Sequence, residues 1–113
     1  MPSTIITKQG DTRLTVTDTP TLNGVPMLPS QVVGATVWFL MRTFDGMTLI
    51  RTQGIIGTDA NGNVQFSYKF QAADVAAAGK YQMEWNLVFS GGDSLTFPNQ
   101  AWNIVNIEPK LGY

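Results

Sequence analysis

The feature that most constrains the fold is a two-residue alternation of apolar and polar side chains in two segments, broken only at Val88. In the first, Val64, Phe66, Tyr68 and Phe70 alternate with polar residues; in the second, the apolar series is Tyr81, Met83, Trp85, Leu87 and Phe89. Because successive side chains of a strand point to opposite faces, this period indicates β-strands with one buried face. Glycine-containing turn signals separate these and other short segments: Asn23-Gly24, Asp45-Gly46, Asn61-Gly62 and Gly91-Gly92. The pattern predicts an antiparallel, all-β domain.

Further strands are predicted by the same reasoning, and a length of 113 residues gives them one domain with a core of its own. In the longest of them, Val37, Phe39 and Met41 form an apolar face, which places Trp38, Leu40 and Arg42 on the opposite face. The three prolines between positions 20 and 30 indicate a connection. One short helical crossover is expected at 72–78, with Asp74 as its N-cap and Gly79 at its end. The further predicted strands span 4–8, 12–18, 35–43, 47–52, 54–58, 94–98 and 101–108.

Composition excludes much of the common catalytic chemistry. The chain has no His and no Cys, so it cannot form a Ser-His-Asp triad, a thiol nucleophile, a disulfide or a zinc site built on these residues. Its eight acidic residues are scattered, mostly in predicted turns, which argues against a catalytic carboxylate pair. Asp59 to Asn63 is not followed by the glycine and glutamate that a calcium-binding loop requires. Gly79-Lys80 is followed by Tyr81, where a phosphate-binding loop has Ser or Thr. We therefore expect no catalytic residue, no metal and no cofactor.

Charge and hydropathy limit the expected partners. Seven basic residues against eight acidic ones give a net charge of −1, which argues against binding to nucleic acid or to an anionic membrane. No apolar run is long enough for a membrane span, and the first residues lack the pattern of a signal peptide. The absence of Cys favours a reducing compartment. Protein–protein contact is the expected mode of action.

Tyr81 indicates a particular kind of sandwich. In immunoglobulin-type domains, a tyrosine near the start of a late strand hydrogen-bonds back to the preceding crossover, two residues before a core cysteine. Tyr81 follows the 72–78 crossover, and Met83 stands at the cysteine's position. We therefore predict an immunoglobulin-like antiparallel β-sandwich comprising residues 1–113, with Tyr81 and Trp85 as structural residues.

A family resemblance extends this interpretation. The segments Gly34-Ala35-Thr36-Val37, Gly79-Lys80-Tyr81, Glu84-Trp85 and Thr96-Phe97-Pro98-Asn99, with Phe39, Met41, Arg42 and Phe89, resemble the immunoglobulin-like domain of bacteriophage baseplate upper proteins. The resemblance covers residues 11 to 108. It implies a non-enzymatic virion protein of the tail or baseplate, assembled in the host cytoplasm in multiple copies and bound to other phage structural proteins, from tail, baseplate or capsid.

Two alternatives to this function remain open from the sequence. One is a subunit that decorates the phage head or belongs to a head fibre. The other is a carbohydrate-binding module, which requires an exposed aromatic platform formed by Trp38, Trp102 or Tyr113.

The candidate interface residues are Trp38, Leu40, Arg42 and Trp102. Trp38 is expected to be exposed on the outer face of its strand unless the loop 20–30 covers that face. Short arms at each end, 2–10 and 108–113, are expected to assist docking.

Overall fold

The computed structural model describes residues 4–98 and 103–111, without the side chains of residues 48 and 49. Alternation of buried and exposed side chains continues along most strands, as the sequence predicts. The strands are β1 (Thr4–Lys8), β2 (Thr15–Asp18), β3 (Thr21–Leu22), β4 (Val25–Pro26), β5 (Thr36–Thr43), β6 (Thr48–Gln53), β7 (Ile55–Thr58), β8 (Val64–Lys69), β9 (Gly79–Val88), β10 (Ser94–Phe97) and β11 (Asn103–Glu108). Short 3₁₀ helices form at Pro29–Gln31 and Ala72–Val75.

Two sheets form the sandwich. The larger has the strand order β1-β11-β9-β5-β6, and β10 pairs with the second half of β9 beside β11. The smaller has the order β2-β8-β7. Pairing is antiparallel throughout both sheets except between β1 and β11, which are parallel. Strands arranged in two facing sheets, with only short 3₁₀ helices, confirm the predicted all-β sandwich.

An aromatic cluster joins the two sheets in the core. The Phe39 ring of the large sheet stacks on Tyr68 of the small sheet, with 4.3 Å between ring centroids. Trp85 packs edge-on against Phe39 at 5.4 Å and also contacts Phe66 at 5.6 Å. Trp85 is fully buried, as predicted for a structural residue. Offset and edge-on aromatic packing of this kind adds to the stabilisation from area burial alone.

Gly54 is the point where the chain passes from the large sheet to the small one. It is the single residue between β6 and β7, and its N–H donates a 2.9 Å hydrogen bond to the carbonyl oxygen of Val37. A Cβ atom there would lie 3.2 Å from the Trp85 ring and 3.3 Å from Val37. The crossing therefore requires a residue without a side chain, because the core closes tightly around it.

The predicted helical crossover is shorter than expected and has a different cap. Its 3₁₀ helix ends at Val75, and Gln71 is the N-cap. Asp74 lies inside the turn, where its carboxylate accepts a 2.8 Å hydrogen bond from the Gln71 N–H and another from the Tyr68 hydroxyl. The carboxylate reaches backward to the start of the turn, so the prediction of Asp74 as N-cap is wrong.

Other boundaries differ in detail. The strand predicted over 12–18 begins at Thr15, although Leu14 still packs against the core. The predicted connection 20–30 contains the two-residue strands β3 and β4, joined by Asn23 and Gly24 with positive φ angles. Met27 anchors this loop, since it is buried and its carbonyl oxygen accepts a 2.9 Å hydrogen bond from Val64 N–H.

The segment predicted to be an N-terminal docking arm is part of the sheet. Residues 4–8 are β1, in register with residues 104–108 of β11. At the other end, Lys110 N–H donates to Gln9 Oε1 at 3.3 Å, and the Lys110 ammonium pairs with Asp11 at 3.4 Å. Residues 4–8 therefore complete the large sheet, because the edge of β11 offers backbone groups that β1 pairs with. In the C-terminal segment, Lys110 is held by Gln9 and Asp11, whereas Leu111 is exposed.

Candidate interaction surface

The outer face of the large sheet holds three of the four candidate interface residues. Trp38, Leu40 and Arg42 project from β5, on the face opposite to the buried Val37, Phe39 and Met41. Strand register places Leu40 between Arg51 of β6 and Glu84 of β9. The same register places Trp38 between Gln53 and Asn86. We call the set Trp38, Leu40, Arg42, Arg51, Gln82 and Glu84 the outer-face cluster.

Trp38 lies under an arginine. The guanidinium carbon of Arg51 is 4.2 Å from the centroid of the Trp38 ring, a cation–π contact. This placement follows from the pleat, because Arg51 stands two residues from Gln53, the direct partner of Trp38, and its long side chain spans that diagonal. Trp38 is half-buried. The loop 20–30 packs through Met27 against β8, which belongs to the other sheet. Arg51, from the neighbouring strand, is what covers part of the Trp38 ring.

Polar contacts fix the rest of the outer-face cluster. Arg42 Nε donates a 2.8 Å hydrogen bond to Gln82 Oε1 across β5 and β9. A shallow depression of about 90 Å³ lies beside this pair, lined by Leu40, Met41, Arg42, Gln82 and Glu84. Within 4–98 and 103–111, the one ion pair joins Lys110 and Asp11, so Glu84 forms none there. The cluster thus combines an indole, an aliphatic side chain, two guanidiniums, the buried amide of Gln82 and a carboxylate that forms no ion pair among the described residues.

The remaining predicted residues have separate roles. Trp102 lies outside the described residues, so its grouping with Trp38 stays a prediction. Tyr81 forms the predicted tyrosine corner: its hydroxyl donates a 2.8 Å hydrogen bond to the carbonyl oxygen of Ala77. Met83 is fully buried two residues further on, in the position where a disulfide stands in related folds.

Asp18 is a structural residue that the sequence interpretation missed. Its Oδ2 atom accepts hydrogen bonds from Trp85 Nε1 at 3.3 Å and Asn103 Nδ2 at 3.1 Å, so one carboxylate links β2 to two strands of the other sheet. The two-residue period contains the signal for it. Val16 points inward, and Asp18 is the next residue on that face, where a carboxylate requires donors.

Other exposed apolar residues lie away from the outer-face cluster. Phe44 and Met47 project from the β5–β6 turn. The turn is held by Asp45, whose carboxylate accepts hydrogen bonds from the Thr43 hydroxyl and the Met47 N–H, and these bonds hold the pKa of Asp45 below its usual range. Val25, Leu28 and Val33 are exposed in the loop at the opposite end of the sandwich, and Ile55 at the edge of the small sheet.

Metal binding and membrane crossing each require features that can be sought among the described residues. Among them, no three His, Cys, Asp or Glu side chains lie close enough to hold a metal ion together. No helix in this part of the chain has the length and apolar character to cross a membrane. Compared with models of known protein families and with curated protein sequences, the chain matches none. Its function is therefore inferred from the fold, the outer-face cluster and the resemblance to baseplate upper proteins.

Proposed function

We propose that this protein is a non-enzymatic structural component of a bacteriophage virion. In this proposal it acts in the tail or baseplate, in multiple copies, by protein–protein contacts with other phage structural proteins. The resemblance to the immunoglobulin-like domain of baseplate upper proteins motivates the class of particle. The outer-face cluster supplies the means of attachment.

The observation that carries the proposal is the Trp38–Arg51 pair on the outer face of the large sheet, between β5 and the edge strand β6. Tryptophan and arginine are enriched among the residues that contribute most to protein–protein binding energy. The 4.2 Å contact fixes the indole before any partner arrives, so less conformational entropy is lost on docking. Leu40 adds apolar area beside it, and Arg42 and Glu84 provide charges of both signs at the rim.

The same contact weighs against sugar binding through Trp38. Sugar binding by aromatic residues requires an open ring face, and the Arg51 guanidinium occupies part of the Trp38 ring. A glycan array with the purified protein tests this alternative. We expect no glycan to bind; saturable binding that is lost in Trp38→Ala would overturn the proposal in favour of a carbohydrate-binding module.

The direct test is incorporation into particles. Virions are purified from cells carrying the genome that encodes this chain, and the chain is quantified by mass spectrometry and located by immunogold labelling. We expect the chain in purified virions, with label at the tail end. Label on the capsid would support the head-decoration alternative, whereas absence of the chain from purified particles would refute a structural role.

The contribution of the outer-face cluster is tested with two variants in the same particles. Trp38→Ala is expected to reduce incorporation at least several-fold. Gln65→Ala, on the outer face of the small sheet, is the control and is expected to incorporate as the unmodified protein does. Equal incorporation of both variants would show that this face makes no essential contact.

A further inference from the structure

The edge of the small sheet at β7 differs from the sheet edges at β1, β2 and β6. Charged residues occur in β1, β2 and β6, where Lys8, Asp18 and Arg51 discourage pairing with another strand. The four residues of β7, Ile55 to Thr58, include no charged residue and no proline. Ile55 has 67% of its surface exposed at this edge. β7 therefore lacks the features that usually prevent sheet edges from pairing.

The hydrogen-bond pattern identifies which backbone groups of β7 face outward. Asp59 N–H bonds to Asn63 O at 2.9 Å, and Asn63 N–H bonds to the Asp59 carboxylate at 3.0 Å, so residues 59 and 63 direct their backbone groups toward each other next to the β7–β8 ladder. Since such pairs alternate along an antiparallel ladder, Ile55 and Gly57 direct their backbone groups toward β8, and Ile56 and Thr58 direct theirs away from it.

Two further bonds agree with this assignment. Val64, opposite Thr58, donates its N–H away from β7, to Met27 O at 2.9 Å. Gly54, which precedes β7 by one residue, donates its N–H away from β8, to Val37 O at 2.9 Å. In the described part of the chain, no bond outside the β7–β8 ladder involves the backbone of Ile56 or Thr58. Two N–H and two C=O groups thus stand at an open edge.

We propose that β7 pairs antiparallel with β7 of a second copy of this chain, joining two three-stranded sheets into one of six strands. The pattern is self-complementary. A two-fold axis through Gly57 places Ile56 of each copy opposite Thr58 of the other, so that their outward N–H and C=O groups form four hydrogen bonds. Gly57 faces its own equivalent across the axis, and the space around it is open, with only Gln65 O near a Cβ position at 3.9 Å.

The neutrality of the edge favours a second copy over a charged partner, because two identical charged strands would repel each other and this one carries no charge. A four-residue edge buries little area, so the dimer is weak in dilute solution and strengthens where copies are held close together. This inference does not depend on the proposed virion role.

Sedimentation velocity of the full chain tests the pairing, from about 10 μM to about 1 mM, the range in which small interfaces associate. We expect the weight-average sedimentation coefficient to rise toward that of a dimer. Thr58→Pro removes an outward N–H that the β7–β8 ladder does not use, and therefore two of the four intermolecular bonds. This variant is expected to remain a monomer.

Thr17→Pro is the matched control. Residues 17 and 67 form a pair on the other edge of the small sheet, and Phe70 N–H bonds to Leu14 O, so alternation directs the Thr17 N–H outward as well. The Thr17→Pro variant should therefore associate as the unmodified protein does. A wild-type chain that stays monomeric at about 1 mM, or equal association of both proline variants, would overturn the proposal.

An NMR titration of the unmodified chain keeps the proposal testable even if a proline variant fails to fold. With increasing concentration, amide shifts should be confined to residues 54–59, and the Ile56 and Thr58 amides should exchange more slowly with solvent. Shifts centred on another surface would refute pairing through β7.

Discussion

The Asp18 carboxylate and the Trp85 indole meet across the two sheets, with 3.3 Å between Oδ2 and Nε1. Asn103 donates to the same oxygen at 3.1 Å. One acidic side chain thus satisfies two donors at the sandwich interior, where an unpaired N–H is costly.

Asp18→Ala should therefore destabilise the fold, because it leaves both donors without this acceptor. We expect a loss of about 1–3 kcal/mol in the free energy of unfolding, measured by urea denaturation. Asp18→Asn keeps an oxygen in place and should lose less. If the two variants unfold at the same urea concentration as the unmodified protein, the hydrogen bonds of Asp18 to Trp85 and Asn103 do not stabilise the fold.

Gly54→Ala should lower the free energy of unfolding by about 1–3 kcal/mol through overpacking. The added methyl group would lie 3.2 Å from the Trp85 ring and 3.1 Å from Ser67 O. Gly57→Ala is the matched control, because only Gln65 O at 3.9 Å lies near its Cβ position. The urea concentration at the midpoint of unfolding, measured for both variants in dilute protein solution, tests these expectations. Equal midpoints for the two variants would contradict a crossing that depends on close approach.

Tyr81→Phe should lose about 1 kcal/mol or somewhat more, because it removes the hydrogen bond to Ala77 O and keeps the buried ring. The measurement is again the free energy of unfolding in urea. Superimposed unfolding curves would show that the corner's hydroxyl does not stabilise the fold.

The free energy of unfolding should fall at alkaline pH because of the Tyr68 phenol. Burial, together with the hydrogen bond to Asp74 and its negative charge, raises the pKa of the Tyr68 phenol well above its usual value. Above about pH 10 the unfolded chain releases this proton while the folded chain keeps it, so the stabilisation present below pH 10 is lost as pH rises, by at most about 1.4 kcal/mol per pH unit.

Comparison with Tyr68→Phe isolates this effect, because the two proteins differ only in the Tyr68 hydroxyl. The free energy of unfolding is measured between about pH 8 and pH 11. We expect a steeper decline for the unmodified protein. Parallel declines would exclude Tyr68 as the source.

Trp38→Ala should leave the melting temperature of the isolated protein within a few degrees, because Trp38 is half-buried and its contact with the exposed Arg51 is worth only about 0.5–1 kcal/mol. Trp85→Ala, on the buried face of the same sheet, should cost about 3–5 kcal/mol. Thermal unfolding followed by circular dichroism compares them. A collapse in stability for Trp38→Ala would make Trp38 a core residue and remove it from the proposed interface.

Local patterns were sufficient to predict much of this fold. The two-residue period gave the inward faces of β8 and β9, and the position of Tyr81 after a short crossover gave the tyrosine corner. The outer-face position of Trp38 follows from the same period. Each of these depends on residues a few positions apart, where backbone geometry alone decides the outcome.

The sequence by itself thus determined most of the strands, the buried faces of the long ones and the all-β class of the fold. Only the tertiary structure decided that Asp18 meets Trp85, that Gly54 is the crossing between sheets, and that Arg51 covers part of Trp38. It also paired residues 4–8, which the sequence predicts as a strand, with β11, whereas the expected docking arm of residues 2–10 would have left them free. These features join residues far apart in the chain or on different strands, and they depend on strand order and register, which side-chain alternation leaves undetermined.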